Sequence, residues 1–200
     1  MHADTLSYTI GDNLYLNITD RCTLVCGFCP KTQGSQQVHA YDLTLSRRPE
    51  LQDIIDAIGD PASYTEIVFC GFGEPTLRLK VLLQVARFIK QRGGRVRLNT
   101  DGLANLVHKR NVLPEMQGLV DAMSISMNAQ NELLYRQHCA PQLHGAWQAM
   151  LDFMAQAPAF IPSVTATAID GLAGVDIAAC EKIASDRGVA FRARHLDVVG

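Results

Sequence analysis

Short runs of β-branched and aromatic residues recur along the chain, separated by stretches whose apolar positions repeat every three or four residues. The runs are LYLNIT from Leu14, EIVFC from Glu66, VRLNT from Val96, AMSIS from Ala122, VTATA from Val164 and AFRAR from Ala190. Each reads as a buried or half-buried strand, so six strands are predicted. The clearest helix follows the second run. Leu79, Leu82, Leu83, Ala86 and Ile89 share one face, and Arg78, Lys80, Arg87, Lys90 and Arg92 fall mostly elsewhere. Pro75 and Thr76 open it, and Gly93 and Gly94 close it. Further helices are expected over about 49–58, 131–138, 145–155 and 175–187.

Consecutive strands start roughly 25 to 55 residues apart, room for a crossover helix and its loops in each case. The expected class is therefore α/β with parallel strands and right-handed crossovers. An open doubly wound sheet and a partial (βα)6 TIM-type barrel both satisfy the spacing, and in both, ligands gather at the carboxyl ends of the strands. No repeat or linker divides the chain, so 1–200 reads as a single domain. The stretch 30–49 is long, polar and without clear periodicity, as lids and binding loops often are.

Composition narrows the picture. The 200 residues are 48% hydrophobic and 19% charged, and 18 basic residues against 20 acidic ones give a net charge of −2. Such a chain buries roughly 70% of the surface it exposes when unfolded, which excludes disorder and any need for disulfide staples. No apolar run approaches the ~20 residues that cross a bilayer, and MHADTLSYTIGD lacks a signal-peptide core. The expectation is a cytoplasmic protein with no membrane contact. A near-neutral balance gives no general footprint for nucleic acid.

Half of the six cysteines crowd into TDRCTLVCGFCP, directly after the first strand. Cys22, Cys26 and Cys29 lie in one loop with three and then two residues between them, where their thiolates can converge on one inorganic site. Structural zinc normally takes four closed ligands, often as two Cys-x-x-Cys pairs. Here no second pair exists, because Cys70, Cys139 and Cys180 are isolated. An iron–sulfur cluster can instead be held by three cysteines, with one iron left for a non-protein ligand. Zinc and unrelated thiols stay open as alternatives at this point.

The next three strands end in polar or glycine-rich residues. Cys70-Gly71-Phe72-Gly73-Glu74-Pro75 offers backbone that a ligand can approach closely and a carboxylate for an ammonium group, or simply a tight turn with an acid near a helix start. Asn99-Thr100-Asp101-Gly102 and Ser126-Met127-Asn128 are ordinary turn chemistry singly, but all three segments fall on one rim. Cys70 and Cys139 are candidate substrate-facing thiols, and His195 is a candidate rim residue. Cys180 and Trp147 sit at helical spacing and are expected in the core. His39, His108 and His144 are expected in solvated loops, and His2 in a frayed terminus. Lys31, Arg47, Arg48 and Arg136 suit either an anionic substrate or a solvated surface.

These residues resemble the radical S-adenosylmethionine (radical SAM) superfamily. CTLVCGFC looks like its Cys-x-x-x-Cys-x-aromatic-Cys loop, GFGEP is similar to its Gly-Gly-Glu-Pro segment, and LNTDG is similar to its Thr-Asn-Gly strand ending. NLYLNITDRC, EIVFCGFGEPTLRL, GGRVRLNTDGLANL, LVDAMSISMNA and the segment from Tyr135 to Cys139-Ala140-Pro141 resemble the TatD-associated radical SAM proteins, a subgroup encoded beside or fused to TatD-type nucleases. Departures are Phe72 for the first glycine, Asp101 for the usual Asn, and a fifth strand, VTATAIDG, without the adenine-binding pattern of some members.

The resemblance implies a [4Fe-4S] cluster on Cys22, Cys26 and Cys29, with S-adenosyl-L-methionine chelating the open iron. It also implies that a reduced cluster cleaves this cofactor to a 5′-deoxyadenosyl radical, which abstracts hydrogen from an unidentified substrate. By the same resemblance Gly71, Gly73 and Glu74 hold the methionyl end, Phe28 lies by the adenine, and Asn99, Ser126 and Asn128 line the ribose and carboxylate side. Implied partners are an electron donor such as flavodoxin or ferredoxin and a TatD-type nuclease. A compact deazapurine-forming enzyme and a glycyl-radical activase are the alternative enzymes, and a zinc-stabilised binding module is the alternative without catalysis.

Overall fold

The computed structural model describes residues 4–196, and His2 lies outside them. The chain opens with a hairpin of β1 (Ser7–Ile10) and β2 (Asn13–Leu16), in which Tyr8 stands opposite Tyr15. A small second hairpin, β3 (Gln37–Val38) and β4 (Tyr41–Asp42), follows. The main sheet then continues through β5 (Ile67–Phe69), β6 (Val96–Thr100), β7 (Ala122–Ser126), β8 (Ser163–Asp170) and β9 (Ala190–His195). Its order is β1-β2-β5-β6-β7-β8-β9, antiparallel only at β1. All six predicted strands are thus present, parallel and in sequence order, the layout of a partial TIM-type barrel.

The helices are α1 (Leu51–Ile58), α2 (Leu79–Gln91), α3 (Ala104–His108), α4 (Leu113–Met116), α5 (Glu132–Cys139), α6 (Ala146–Gln156) and α7 (Ile177–Ser185). Local chemistry starts them where the sequence predicts. The Asn131 side chain accepts from Leu134 N–H and that of Asp176 from Ala179 N–H, each at 3.0 Å, satisfying orphan donors of the first turn. The short helices α3 and α4 were not anticipated, because five and four residues are too few to display a helical period.

The two faces of the sheet differ in kind. Leu14, Leu16, Ile67, Phe69, Val96, Leu98, Met123, Ile125, Ala166 and Ala168 point outward and join the main apolar core with α2 and α6. The alternate positions, brought side by side by the register, are mostly polar: Tyr15, Cys70, Arg97, Asn99, Ser124, Ser126, Thr165, Thr167, Arg192 and Arg194, with the apolar Val68, Ala122, Ile169 and Ala190 among them. A doubly wound sheet would need apolar residues on both faces. One apolar and one polar face is the pattern of a sheet curled around a ligand-sized interior.

The stretch 30–49 is not a free lid. Val38 and Leu43 are buried with Tyr8 in a second apolar cluster that also gathers Tyr15, Tyr41 and Phe72. Tyr8 stacks on Tyr15 with ring centres 5.3 Å apart, and the buried Asn17 amide donates to the Leu43 carbonyl at 2.9 Å. The polar sequence conceals this packing because only Val38, Tyr41 and Leu43 carry it. Cys180 is buried and Trp147 packs on Tyr135, as expected. His108 is no solvated loop residue: it ends α3, with Nε2 2.9 Å from the Thr76 carbonyl.

Asp121 ties the outer layer to the sheet. Its carboxylate accepts from Lys90 Nζ at 2.7 and 2.9 Å and from Val96 N–H at 2.8 Å. Asp121→Ala leaves that N–H unpaired, and chemical denaturation is expected to show a loss of about 1–3 kcal/mol.

Candidate functional site

The cysteine loop leaves the end of β2 and is gripped from two directions. On one side runs the segment after α5. Val25 N–H donates to the Cys139 carbonyl (3.0 Å), Gly27 N–H to His138 (2.9 Å) and Gln142 N–H to Thr23 (2.9 Å), and Leu24 bridges to Pro141. On the other side, Glu74 N–H donates to the Arg21 carbonyl and the Arg78 guanidinium to the Ile18 carbonyl, each at 2.8 Å. A Cβ at Gly73 would drive into the carbonyls of Thr19 and Arg21, and one at Gly71 would stand 2.7 Å from Asn17 Oδ1. Both glycines therefore permit close approach to the chain's own cysteine loop.

Glu74 is 3% exposed and fully engaged within the protein. Oε1 accepts from Thr76 N–H (3.0 Å), the Thr76 hydroxyl (2.7 Å) and the Thr100 hydroxyl (2.9 Å), and Oε2 accepts from Asp101 N–H (2.7 Å). Asp101 in turn accepts from the Thr23 hydroxyl and from Leu103 N–H. Burial first, and the Asp101 carboxylate second, push Glu74 up to about 8. Burial also raises Asp101. Two adjoining buried carboxyls cannot both ionise cheaply, so the pair keeps a proton near neutral pH.

Cys22 is exposed, while Cys26 and Cys29 are half-buried. Desolvation and the Asp101 charge push the Cys22 thiol up to about 12. The neighbouring Cys139 thiol, then burial, raise Cys26. The cysteines also raise one another, which records their proximity. Among the described residues no three Cys, His, Asp or Glu side chains gather tightly enough for a single metal ion. Cys139 is wholly buried, against Cys26 and 3.6 Å from the Asn128 amide nitrogen. Asn128 is itself buried and spends its amide on Cys139.

Two orphaned polar atoms mark where a further group belongs. The Tyr135 hydroxyl is buried without a partner, close enough to Cys139, Asp101, Cys26 and Cys22 for their charges to raise it. Asn99 Oδ1, on the inner face beside Cys70, is likewise buried and unpaired. Three thiols in one loop, a waiting donor and a waiting acceptor suit a thiolate-held iron–sulfur group with a polar companion ligand. Phe28 packs half-buried on the core, and Ser126 is half-buried at the end of β7. Burial raises the Cys70 thiol, and the Arg194 and Arg97 charges oppose this. His195 stands exposed at the end of β9, Nδ1 3.6 Å from Asp170 Oδ2.

Tyr135, Thr23 and the inner-face Arg97 and Arg194 were not singled out from sequence. The strand alternation in VRLNT already sets Arg97 on the same face as Asn99, whereas nothing in the sequence marks Tyr135 or Thr23 as neighbours of the loop.

The family model described as the Radical SAM superfamily matches residues 16–186. Among solved structures, TYW1 with a lysine-pyruvate adduct bound is 13% identical with a TM-score of 0.65, over 94% of this chain and 66% of that one. Streptococcus suis SuiB bound to its precursor peptide SuiA is 10% identical with a TM-score of 0.70, over 96% and 40%. The FeFe-hydrogenase maturase HydG from Carboxydothermus hydrogenoformans is 18% identical with a TM-score of 0.61, over 93% and 44%. At these identities the likeness is one of fold, and the chain spans less than two thirds of each of those lengths. No curated protein matches in sequence.

Glu74 is raised in the folded state, so the folded chain keeps a proton that the unfolded chain releases above the ordinary carboxylate range. Stability of the metal-free protein is therefore expected to fall as pH rises from about 5 toward 8, and thermal unfolding of Glu74→Gln should show a flatter pH profile. Tyr135→Phe removes an unpaired hydroxyl, and its unfolding in the metal-free state should change by less than about 1 kcal/mol.

Proposed function

The chain belongs to the radical SAM superfamily, and we propose that it is a radical S-adenosylmethionine enzyme built as one core domain over 1–200, acting on a substrate taken against the polar inner face. The observation that carries this reading is the three-cysteine loop, lying within the matched region and standing at the carboxyl rim of a sheet whose inner face is polar. When bound, a reduced [4Fe-4S] cluster and S-adenosyl-L-methionine together supply a 5′-deoxyadenosyl radical that takes a hydrogen atom from substrate.

The protein's own residues hold and orient these groups. Cys22, Cys26 and Cys29 are the cluster ligands, and they shed their protons on binding it, so cluster loading is favoured by higher pH. Gly71 and Gly73 bring the loops together, and the backbone beside them meets the methionyl end. The Glu74 carboxylate contributes by fixing that backbone, since its oxygens already accept four hydrogen bonds. Phe28 flanks the adenine, and Asn99 and Ser126 offer polar contacts from the inner face. Asn128 acts through Cys139, which backs the ligand Cys26. Cys70 is the thiol we assign to the substrate side, and Arg194 near it favours a substrate carrying an acidic group, whereas Arg97 is already paired with Glu66 at 3.0 Å. The resemblance in sequence to the TatD-associated subgroup supports a link to a TatD-type nuclease. A flavodoxin or ferredoxin in the cytoplasm is the proposed electron source.

No helix among the described residues is long and apolar enough to cross a membrane. Anaerobic reconstitution should give a brown protein whose iron and sulfide content matches one four-iron cluster per chain. Dithionite and S-adenosyl-L-methionine should then release 5′-deoxyadenosine slowly, and replacing Cys22, Cys26 or Cys29 by Ala should abolish both colour and product. A colourless, zinc-loaded protein after reconstitution would overturn the proposal.

A further inference from the structure

Between the start of the cysteine loop, residues 45–49, the approach to α2 and the end of α3 lies a cleft of about 800 Å³, the size of a small-molecule site. No residue of the inner face lines it. Its walls carry Arg21, Arg47, Arg48, Arg78 and Lys109 against a single carboxylate, Asp20. Leu45, Leu77, Leu106 and Leu143 form an apolar wall beside them.

Arg78 makes this more than a basic surface. It is 6% exposed, one terminal nitrogen donates to the Ile18 carbonyl, and Nε is buried without any partner. Arg48 lies near enough for its charge, after burial, to act against the Arg78 charge, and Glu50 only partly offsets this. Arg47 is paired with Asp53 at 2.7 Å, but neither Arg48 nor Arg78 has an ion-pair partner among the described residues. A buried guanidinium facing a second cation across a cleft is costly unless an anion joins them. The planar donor fork of Arg fits phosphate oxygens in particular.

We propose that this cleft binds an organic phosphate of nucleotide size, with its phosphate oxygens between Arg78 and Arg48 and its base or other apolar body on the leucine wall. Cys22 and Thr23 of the cysteine loop also line the cleft, but the phosphate contacts fall on Arg78 and Arg48, and they need neither iron nor S-adenosyl-L-methionine.

Isothermal titration of the metal-free and the cluster-loaded protein with ADP and with inorganic pyrophosphate, at matched ionic strength, tests it. One ADP per chain is expected in both preparations, bound more tightly than pyrophosphate. Arg48→Gln should weaken ADP at least tenfold. Arg78→Gln should weaken it further where it folds, and because Arg78 also ties down Ile18, the exposed Arg48 carries the decision. Absence of saturable binding, equal affinity in Arg48→Gln, or ADP no tighter than pyrophosphate would overturn the assignment. A missing cluster in the same preparation bears on the catalytic reading alone.

Discussion

The site depends on one buried carboxylate. Glu74 sits where the loop after β5, the end of β6 and the cysteine loop meet, and its two oxygens take hydrogen bonds from Thr76, Thr100 and Asp101. Asp101 passes the connection on to Thr23, one residue beyond Cys22. An unpaired charge in this position would be prohibitive, and the donors around it, together with a shared proton, are what make it tolerable. The result is a rigid knot of polar contacts directly beneath the ligand loop. Thiol positions are thereby set by hydrogen bonds rather than by the loop's own flexible backbone.

Around that knot the fold separates its duties by face. Outward residues of the strands pack against helices and supply the apolar burial that stabilises the sheet. Inward residues are mostly polar, with Val68 and Ile169 as buried apolar exceptions, so the interior keeps polar groups that can serve ligands. The antiparallel β1 and the aromatic cluster of Tyr8, Tyr15 and Tyr41 cover one edge of this arrangement. Segment 30–49, polar as it is, belongs to that cover through Val38 and Leu43.

The six parallel strands, their order and the long helices were legible because each rests on a local period: two for strands, 3.6 for α2; β1, β3 and β4, of two to four residues, were not anticipated. The cysteine loop was legible because thiol spacing is covalent information. Contacts between distant segments were not. That Cys139 lies buried against Cys26, or that Glu74 accepts four internal hydrogen bonds, follows from how loops meet over the rim, and no periodicity encodes such meetings. The barrel's polar interior lies between these cases. VRLNT carries the alternation of Arg97 and Asn99 openly, yet the meaning of the alternation emerges only when five neighbouring strands repeat it in register.

The grip of residues 138–142 on the cysteine loop has a consequence for the order of events in the cell. The loop is made early, but the C-terminal end of α5 that holds Val25 and Gly27 lies more than a hundred residues later in the chain. Until that partner has emerged from the ribosome the three thiols have no fixed arrangement. A nascent chain truncated before α5 would therefore carry the three cysteines without the hydrogen-bond partners that hold their loop.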